Sequence, residues 1–249
     1  MHYGICNLSL VPLRLEASDK SELVSQLLYG DHFKLLEKRK NWSKIRLSYD
    51  DYEGYVDNKQ FLEISEKEYQ HLDSPNPKFS ADLVEFVQDK KGQLLPILLG
   101  SSLNGLGMLG HKYEGNSISE IFPKTKLIET ASMYLNTPYL WGGKSPFGID
   151  CSGFTQMVYK INGYELKRDA SQQAAQGEVL SFIEESEPGD LAFFDNSEGE
   201  IIHVGIILKN NYIIHAHGCV RIDRLDQSGI YNTEQNRHTH RLRVIKKII

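Results

Sequence analysis

Pro138-Tyr139-Leu140-Trp141-Gly142-Gly143-Lys144-Ser145-Pro146-Phe147-Gly148-Ile149-Asp150-Cys151-Ser152-Gly153-Phe154 is a glycine- and proline-rich loop that delivers one cysteine to the start of an apolar helical pattern. Phe154, Met157, Val158 and Ile161 fall on one helix face, so Cys151 to Ile161 reads as a buried helix with Cys151 in its first turn. The unpaired N–H groups and positive dipole end of a helix start favour S⁻ over S–H, which lowers a thiol pKa. The plain alternative is a small buried apolar residue, since free Cys is among the most buried types. The Trp-Gly-Gly and Asp-Cys-Ser-Gly context counts against it, because a core position needs no glycines clearing a path for a ligand.

A thiolate needs a base. Two β-branched runs downstream read as strands, Ile202–Leu208 with His203 and Tyr212–Ala216 with His215, and Lys209-Asn210-Asn211 joins them as a hairpin. Either histidine alone reads equally well as a satisfied core residue. Together with Cys151 they supply what nucleophilic catalysis requires: a nucleophile, a general base and a third group that orients the base. A further strand is expected at Asp190–Phe194, a helix over Lys124–Asn136 and another starting near Asp169.

The stretch Pro138–Phe154, His203-Val204-Gly205-Ile206 and Ile214-His215-Ala216 resemble the NlpC-type cysteine peptidases of bacterial cell-wall metabolism, over residues 123–249. Within that family the likeness is closest to γ-D-glutamyl-L-diamino acid endopeptidases with N-terminal bacterial SH3-like domains. The resemblance implies an α+β fold: a papain-like cysteine peptidase domain preceded by one or two small SH3-like β-barrels. It makes Cys151 the nucleophile, His203 the base and His215 the polar third member.

The N-terminal part supports such a division. Phe33–Lys38 and Trp42–Tyr49 alternate apolar and polar residues as half-buried strands do, with a turn through Asp50-Asp51-Tyr52-Glu53-Gly54. Trp42-x-x-Ile45-Arg46 followed by Gly54-Tyr55-Val56 resembles a bacterial SH3-like domain, assigned to residues 1–70. Residues 71–122 are assigned as a linker, marked by Asp73-Ser-Pro-Asn-Pro-Lys78, and a second SH3-like domain.

Composition narrows the rest. At 249 residues the chain can bury a full core in one large or several small domains. A net charge of −5 does not suggest a nucleic-acid binder. Three cysteines, Cys6, Cys151 and Cys219, are too few for a disulfide framework and argue for a reducing compartment. No signal peptide or membrane span is read, so the expected location is cytoplasmic; removal of a leader would make it secreted or periplasmic.

Two other motifs compete with this reading. Gly105-x-Gly107-x-x-Gly110 has the form of a dinucleotide-binding loop, but no strand–helix context surrounds it, and a loop between strands is expected. His215-x-His217-x-Cys219, with His203 and the His238-x-His240 pair, offers zinc-type ligands. No CxxC or HExxH spacing accompanies them, so no metal and no cofactor are expected. His238 and His240 are expected on a solvated strand edge.

By the resemblance, the Tyr139 hydroxyl joins the Cys151 backbone N–H as an oxyanion donor, and Trp141, Asp150 and Ser152 help hold substrate. Asp169 would fix a free N-terminal amine, with Ser171 near it in place of the hydroxyl that the family often has at the Ala170 position. Asp169 also reads as a helix N-cap, and the two roles are compatible. Glu16 and Tyr52 of the first SH3-like domain would close the site. Arg168 or Lys144 could meet a substrate carboxylate. The expected partners are peptidoglycan-derived L-Ala-γ-D-Glu-diamino acid peptides. A secreted hydrolase of intact peptidoglycan and a non-catalytic wall-binding protein are the alternatives.

Overall fold

The computed structural model describes residues 2–73 and 77–249. The chain divides into two compact units: unit 1 is residues 1–120 with 141–146, and unit 2 is residues 121–140 with 147–249.

Unit 1 begins with β1 (His2–Ile5), β2 (Leu10–Arg14), β3 (Leu23–Leu28), β4 (His32–Lys38), β5 (Trp42–Leu47), β6 (Glu53–Asp57) and β7 (Leu62–Ile64). They form one antiparallel sheet in the order β3-β2-β6-β5-β4-β1-β7. Alternation turns Val11, Leu13, Phe33, Leu35, Ile45, Leu47 and Val56 into a common core. Ile45 and Val56, the apolar members of the SH3-like cue, are fully buried. Burying such a side chain contributes about 1.5–3 kcal/mol. The barrel is followed by α1 (Glu66–Leu72), which Ser65 and Glu68 open with a reciprocal capping box.

Of the linker read at 73–78, residues 74–76 lie outside the described residues. Beyond it come β8 (Phe79–Ser80), β9 (Val84–Gln88), β10 (Leu94–Leu98), α2 (Leu106–Leu109), β11 (Lys112–Tyr113) and β12 (Ser117–Ile118). β10-β9-β11 make one small sheet and β12-β8 another. Pro96 is tolerated because β10 is an edge strand of its sheet. The glycine triplet holds a one-turn helix rather than the expected loop: α2 starts at Gly105 and stops at Gly110, whose φ of 68° is left-handed. β13 (Lys144–Ser145) also belongs to unit 1.

In unit 2, α3 (Lys126–Ser132) is shorter than the periodicity suggests, and Asn136 sits at φ 67° beyond its end. β14 (Gly148–Ile149), α4 (Cys151–Ile161) and α5 (Ala170–Gln173) follow, then β15 (Glu178–Leu180), β16 (Leu191–Asp195), β17 (Ile201–Leu208), β18 (Tyr212–His217), β19 (Cys219–Asp226), β20 (Gly229–Asn232) and β21 (Arg237–Lys247). The order β15-β21-β16-β17-β18-β19-β20, with β20 also paired to β21, closes six of these strands into a barrel. Ala192, Phe194, Ile207, Ile213, Leu225, Ile230 and Ile245 form one buried cluster of that barrel. Asn210 and Asn211, both left-handed at φ 59° and 60°, turn the β17–β18 hairpin. Helix α4 packs on β17 and β18.

Candidate active site

Asp150 starts α4. Its carboxylate accepts the Gly153 N–H at 2.6 Å, satisfying one of the unpaired amides of the helix start. The same carboxylate is gripped by Arg168, Nη1 to Oδ1 at 3.0 Å and Nη2 to Oδ2 at 2.6 Å, and Nη1 also donates to Ser152 Oγ at 3.0 Å. Arg168 is 1% exposed, so this planar fork works in a dry environment, where removing one partner would strand a charge. Gln173 adds a second brace, donating Nε2 to the Ser152 carbonyl at 2.9 Å and accepting from Thr155 Oγ1 at 2.7 Å. Asp150, Ser152 and Arg168 thus fix the first turn that carries Cys151. The carboxylate-binding role suggested for Arg168 does not fit its burial on Asp150.

Cys151 is buried, with its sulfur beside the backbone N–H groups of Val204 and Ser152. Burial pushes the thiol up to about 12 and the Asp150 charge adds to this, while those N–H groups and Arg168 pull it back. The helix-start effect expected from sequence is present but smaller than desolvation.

Val204 follows His203, and from His203 a chain of hydrogen bonds runs across the sheet. His203 Nε2 lies 2.8 Å from His215 Nδ1, and His215 Nε2 lies 3.0 Å from Asp223 Oδ2. Arg221 grips Asp223 in turn, Nε to Oδ2 at 2.7 Å and Nη2 to Oδ1 at 3.0 Å, and its Nη1 donates to Glu234 at 3.2 Å. The strands place these groups by register. Gly205 pairs with His215 and His215 with Arg221, while Ile213 pairs with Asp223. A Cβ at Gly205 would stand 2.7 Å from Ile213 Cδ1 and 2.9 Å from His215 Cβ, so glycine there lets the two histidines approach.

The electrostatics favour neutral imidazoles. Burial, then the neighbouring His215, His240 and His217, hold the His203 pKa well below its usual value. Burial also lowers that of His215, against the opposing pull of Asp223. For Asp223, desolvation would raise the pKa, but the bonds from His215 and Arg221 outweigh it and keep the carboxylate ionised.

Tyr139 is half-buried and held by its N–H to the Gly218 carbonyl at 2.9 Å and by a bridge to Ile149. Burial, with the charges of Cys151 and Asp150, drives its hydroxyl pKa upward, which keeps it a proton donor. Asp169 is the N-cap of α5, with its N–H donating to Gln172 Oε1 at 3.1 Å, and Ser171 is exposed on that helix. Glu16, Tyr52 and Trp141 belong to unit 1. There Glu16 is exposed, Tyr52 packs partly on the barrel core, and the Trp141 indole donates to Glu22 at 2.6 Å. Gly142, at φ 75°, would place a Cβ 2.3 Å from the Leu23 carbonyl, so this glycine is required by packing within unit 1 rather than by clearance for a ligand. Lys144 is buried with its ammonium 6.0 Å from the Tyr49 ring centroid.

Sequence reasoning missed Asp223, Arg221 and His240. The Arg221-x-Asp223 alternation in a strand beginning two residues after His217 was the available signal for the first two. His240, expected on a solvated edge, instead stacks on His203 with ring centroids 4.2 Å apart, because β21 returns beside β20 when the barrel closes. His238 does lie exposed, paired with Asp226. As for the zinc reading, both ring nitrogens of His215 are taken by protein partners. Among the described residues no group of three or more His, Cys, Asp or Glu is arranged to hold a metal ion.

Comparison with known proteins agrees with this layout. Residues 136–241 match the model of the NlpC/P60 family, and residues 13–61 that of the bacterial dipeptidyl-peptidase Sh3 domain. The chain is 42% identical over 92 residues to a gamma-D-glutamyl-L-lysine dipeptidyl-peptidase of Bacillus subtilis, covering 36% of this chain and 31% of that protein. It is 28% identical over 227 residues to dipeptidyl-peptidase 6 of Lysinibacillus sphaericus, covering 79% and 80%. The chain therefore spans about a third of the first relative's length and about four fifths of the second's. An NlpC/P60 family protein from Bacillus cereus has the same fold, with a TM-score of 0.80 over 99% of both chains at 20% identity. With the cysteine at a helix start against an antiparallel barrel, residues 136–241 are an NlpC/P60 domain, a papain-like α+β module of a peptidase family, and residues 13–61 are a bacterial SH3-like domain.

Proposed function

We propose that unit 2 is a cysteine peptidase that hydrolyses the γ-D-glutamyl–L-diamino acid bond, to diaminopimelate or lysine, of peptidoglycan-derived peptides with a free N-terminal L-Ala, in cell-wall recycling in the cytoplasm. The observation that carries the chemistry is the buried Cys151 thiol against the Val204 N–H, one residue from a histidine whose ring is fixed by His215. In this reading the Cys151 sulfur attacks the amide carbonyl carbon as its proton passes to His203. The oxyanion is held by the Cys151 backbone N–H and the Tyr139 hydroxyl. Collapse expels the amine, which takes the proton from His203, and water then cleaves the thioester and returns a proton to sulfur.

The substrate class rests on the relatives' names together with Asp169. A half-buried carboxylate facing an ammonium rejects a capped peptide, which would leave the charge unpaired. The assignment of a second SH3-like domain within 71–122 is part of the same proposal, supported by the antiparallel pairing of β8 with β12 and by a core around Val87, Ile97 and Leu103.

The test is mass spectrometry of L-Ala-γ-D-Glu-diaminopimelate with wild type and Cys151→Ala, beside the N-acetylated peptide. Release of L-Ala-γ-D-Glu by wild type alone, from the free peptide alone, is expected. Turnover by Cys151→Ala would overturn the mechanism, and equal cleavage of the acetylated peptide would remove the amine specificity.

A further inference from the structure

His203, His215, Asp223 and Arg221 form one unbranched hydrogen-bonded line, and its chemistry has a direction. Arg221 only donates, so the Asp223 oxygens accept from it. An ionised Asp223 has no proton to give, so at the 3.0 Å contact His215 Nε2 must carry the hydrogen. A neutral His215 protonated at Nε2 has a bare Nδ1, which accepts; at 2.8 Å the donor must then be His203 Nε2–H. A neutral His203 protonated at Nε2 has its lone pair on Nδ1. Each ring's tautomer follows from the group behind it, and the line starts at a carboxylate that is 4% exposed.

We propose that Asp223, clamped by Arg221, is a positioning residue: acting through His215, it fixes His203 in the Nε2–H tautomer and leaves Nδ1 as the nitrogen that takes the Cys151 proton. This rests on the reading of Cys151 and His203 as nucleophile and base, and it adds two residues that never touch substrate. Its physical content is polarity. A third member that is itself an imidazole can sit in either tautomer, unlike an amide or carboxylate, so His215 orients the base only if something selects its own protonation. Asp223 makes that selection, and Arg221 keeps both of its oxygens turned to accept.

The experiment separates this from the substrate assignment by using readouts that need no substrate. In wild type, long-range ¹H–¹⁵N spectra of ¹⁵N-histidine-labelled protein at pH 7 should show His203 and His215 both protonated at Nε2 and bare at Nδ1. In Asp223→Leu both acceptor oxygens are gone, and Arg221, which only donates, is the charged group left behind His215, so a bare Nε2 is favoured there. The line then reverses, both rings move their proton to Nδ1, and His203 loses the lone pair facing sulfur.

Alkylation of Cys151 by iodoacetamide, read as modified Cys151 peptide by mass spectrometry, should slow by about tenfold or more, the scale of lost outer-shell partners. On a cleaved peptide, kcat should fall by roughly a hundredfold or more with KM nearly unchanged, as for a wrong tautomer behind a catalytic histidine. Asp223→Glu, which keeps the acceptor, should recover most of the alkylation rate. Wild-type spectra showing either ring protonated at Nδ1 would overturn the proposal even if the variants fail to fold. So would a folded Asp223→Leu protein with wild-type alkylation. Correct tautomers and slowed alkylation, in a protein that leaves the diaminopimelate peptide intact, would keep the relay and discard only the substrate.

Discussion

At the scale of single residues, the site is a contest between burial and hydrogen bonding. Cys151 stands where a helix start should stabilise a thiolate, yet the same placement removes it from water and its pKa is driven up to about 12. His203 is driven the other way, by burial and by His215, His240 and His217 around it. A base works when it is unprotonated, and a pKa held below the usual 6.5 keeps His203 unprotonated at lower pH. The acid limb of kcat/KM should therefore have its midpoint below pH 6.5, with less than about a twofold change between pH 7.5 and 6.5. A pH–rate profile checks this, and a limb centred at 6.5 or above would contradict it.

Elements matter because strand register decides which residues meet. Gly205 faces His215 across β17 and β18, and His203 shares its side of the strand by alternation. An added Cβ would collide with Ile213 and His215 at 2.7 and 2.9 Å, and only a shift of the paired strand relieves both contacts. Gly205→Ala is expected to lower kcat by about tenfold or more, since misplacement by even about an ångström is costly in a catalytic constellation. Thermal stability should fall by about 1–3 kcal/mol, the usual cost of overpacking. Steady-state kinetics beside a melting curve separates the two effects. On the helix side, the legible part was Cys151 in the first turn of α4; the cap that Asp150 forms there and the burial of Arg168 against it were not legible, because nothing in a linear sequence marks a guanidinium that will be buried on a helix cap.

At the scale of the whole molecule, each unit has a core of its own, and the three thiols are distributed among different environments. Cys6 is fully buried in the first barrel, its S–H donating to the Leu8 carbonyl at 3.3 Å, and burial pushes its pKa up to about 12. Cys151 is 6% exposed, and Cys219 is half-buried on β19. A thiol titration with Ellman's reagent should give fast reaction at Cys219, slower reaction at Cys151 and none at Cys6 until denaturant is added, when all three react. Rapid labelling of Cys6 in the folded protein would contradict the barrel core described here.

The sequence by itself determined the local grammar. The loop 138–154, the apolar face of α4 and the β-branched runs around His203 and His215 are short-range patterns, and the structure keeps them nearly residue for residue. Alternation likewise foretold the barrel core through Ile45 and Val56. Tertiary structure alone decided which distant groups stand behind the nucleophile and base. Closure of β20 on β21 brought His240 onto His203, and pairing of β18 with β19 set Asp223 behind His215. It also decided protonation, because a pKa depends on how much water is lost and which charges remain nearby, and neither quantity exists until the chain has folded.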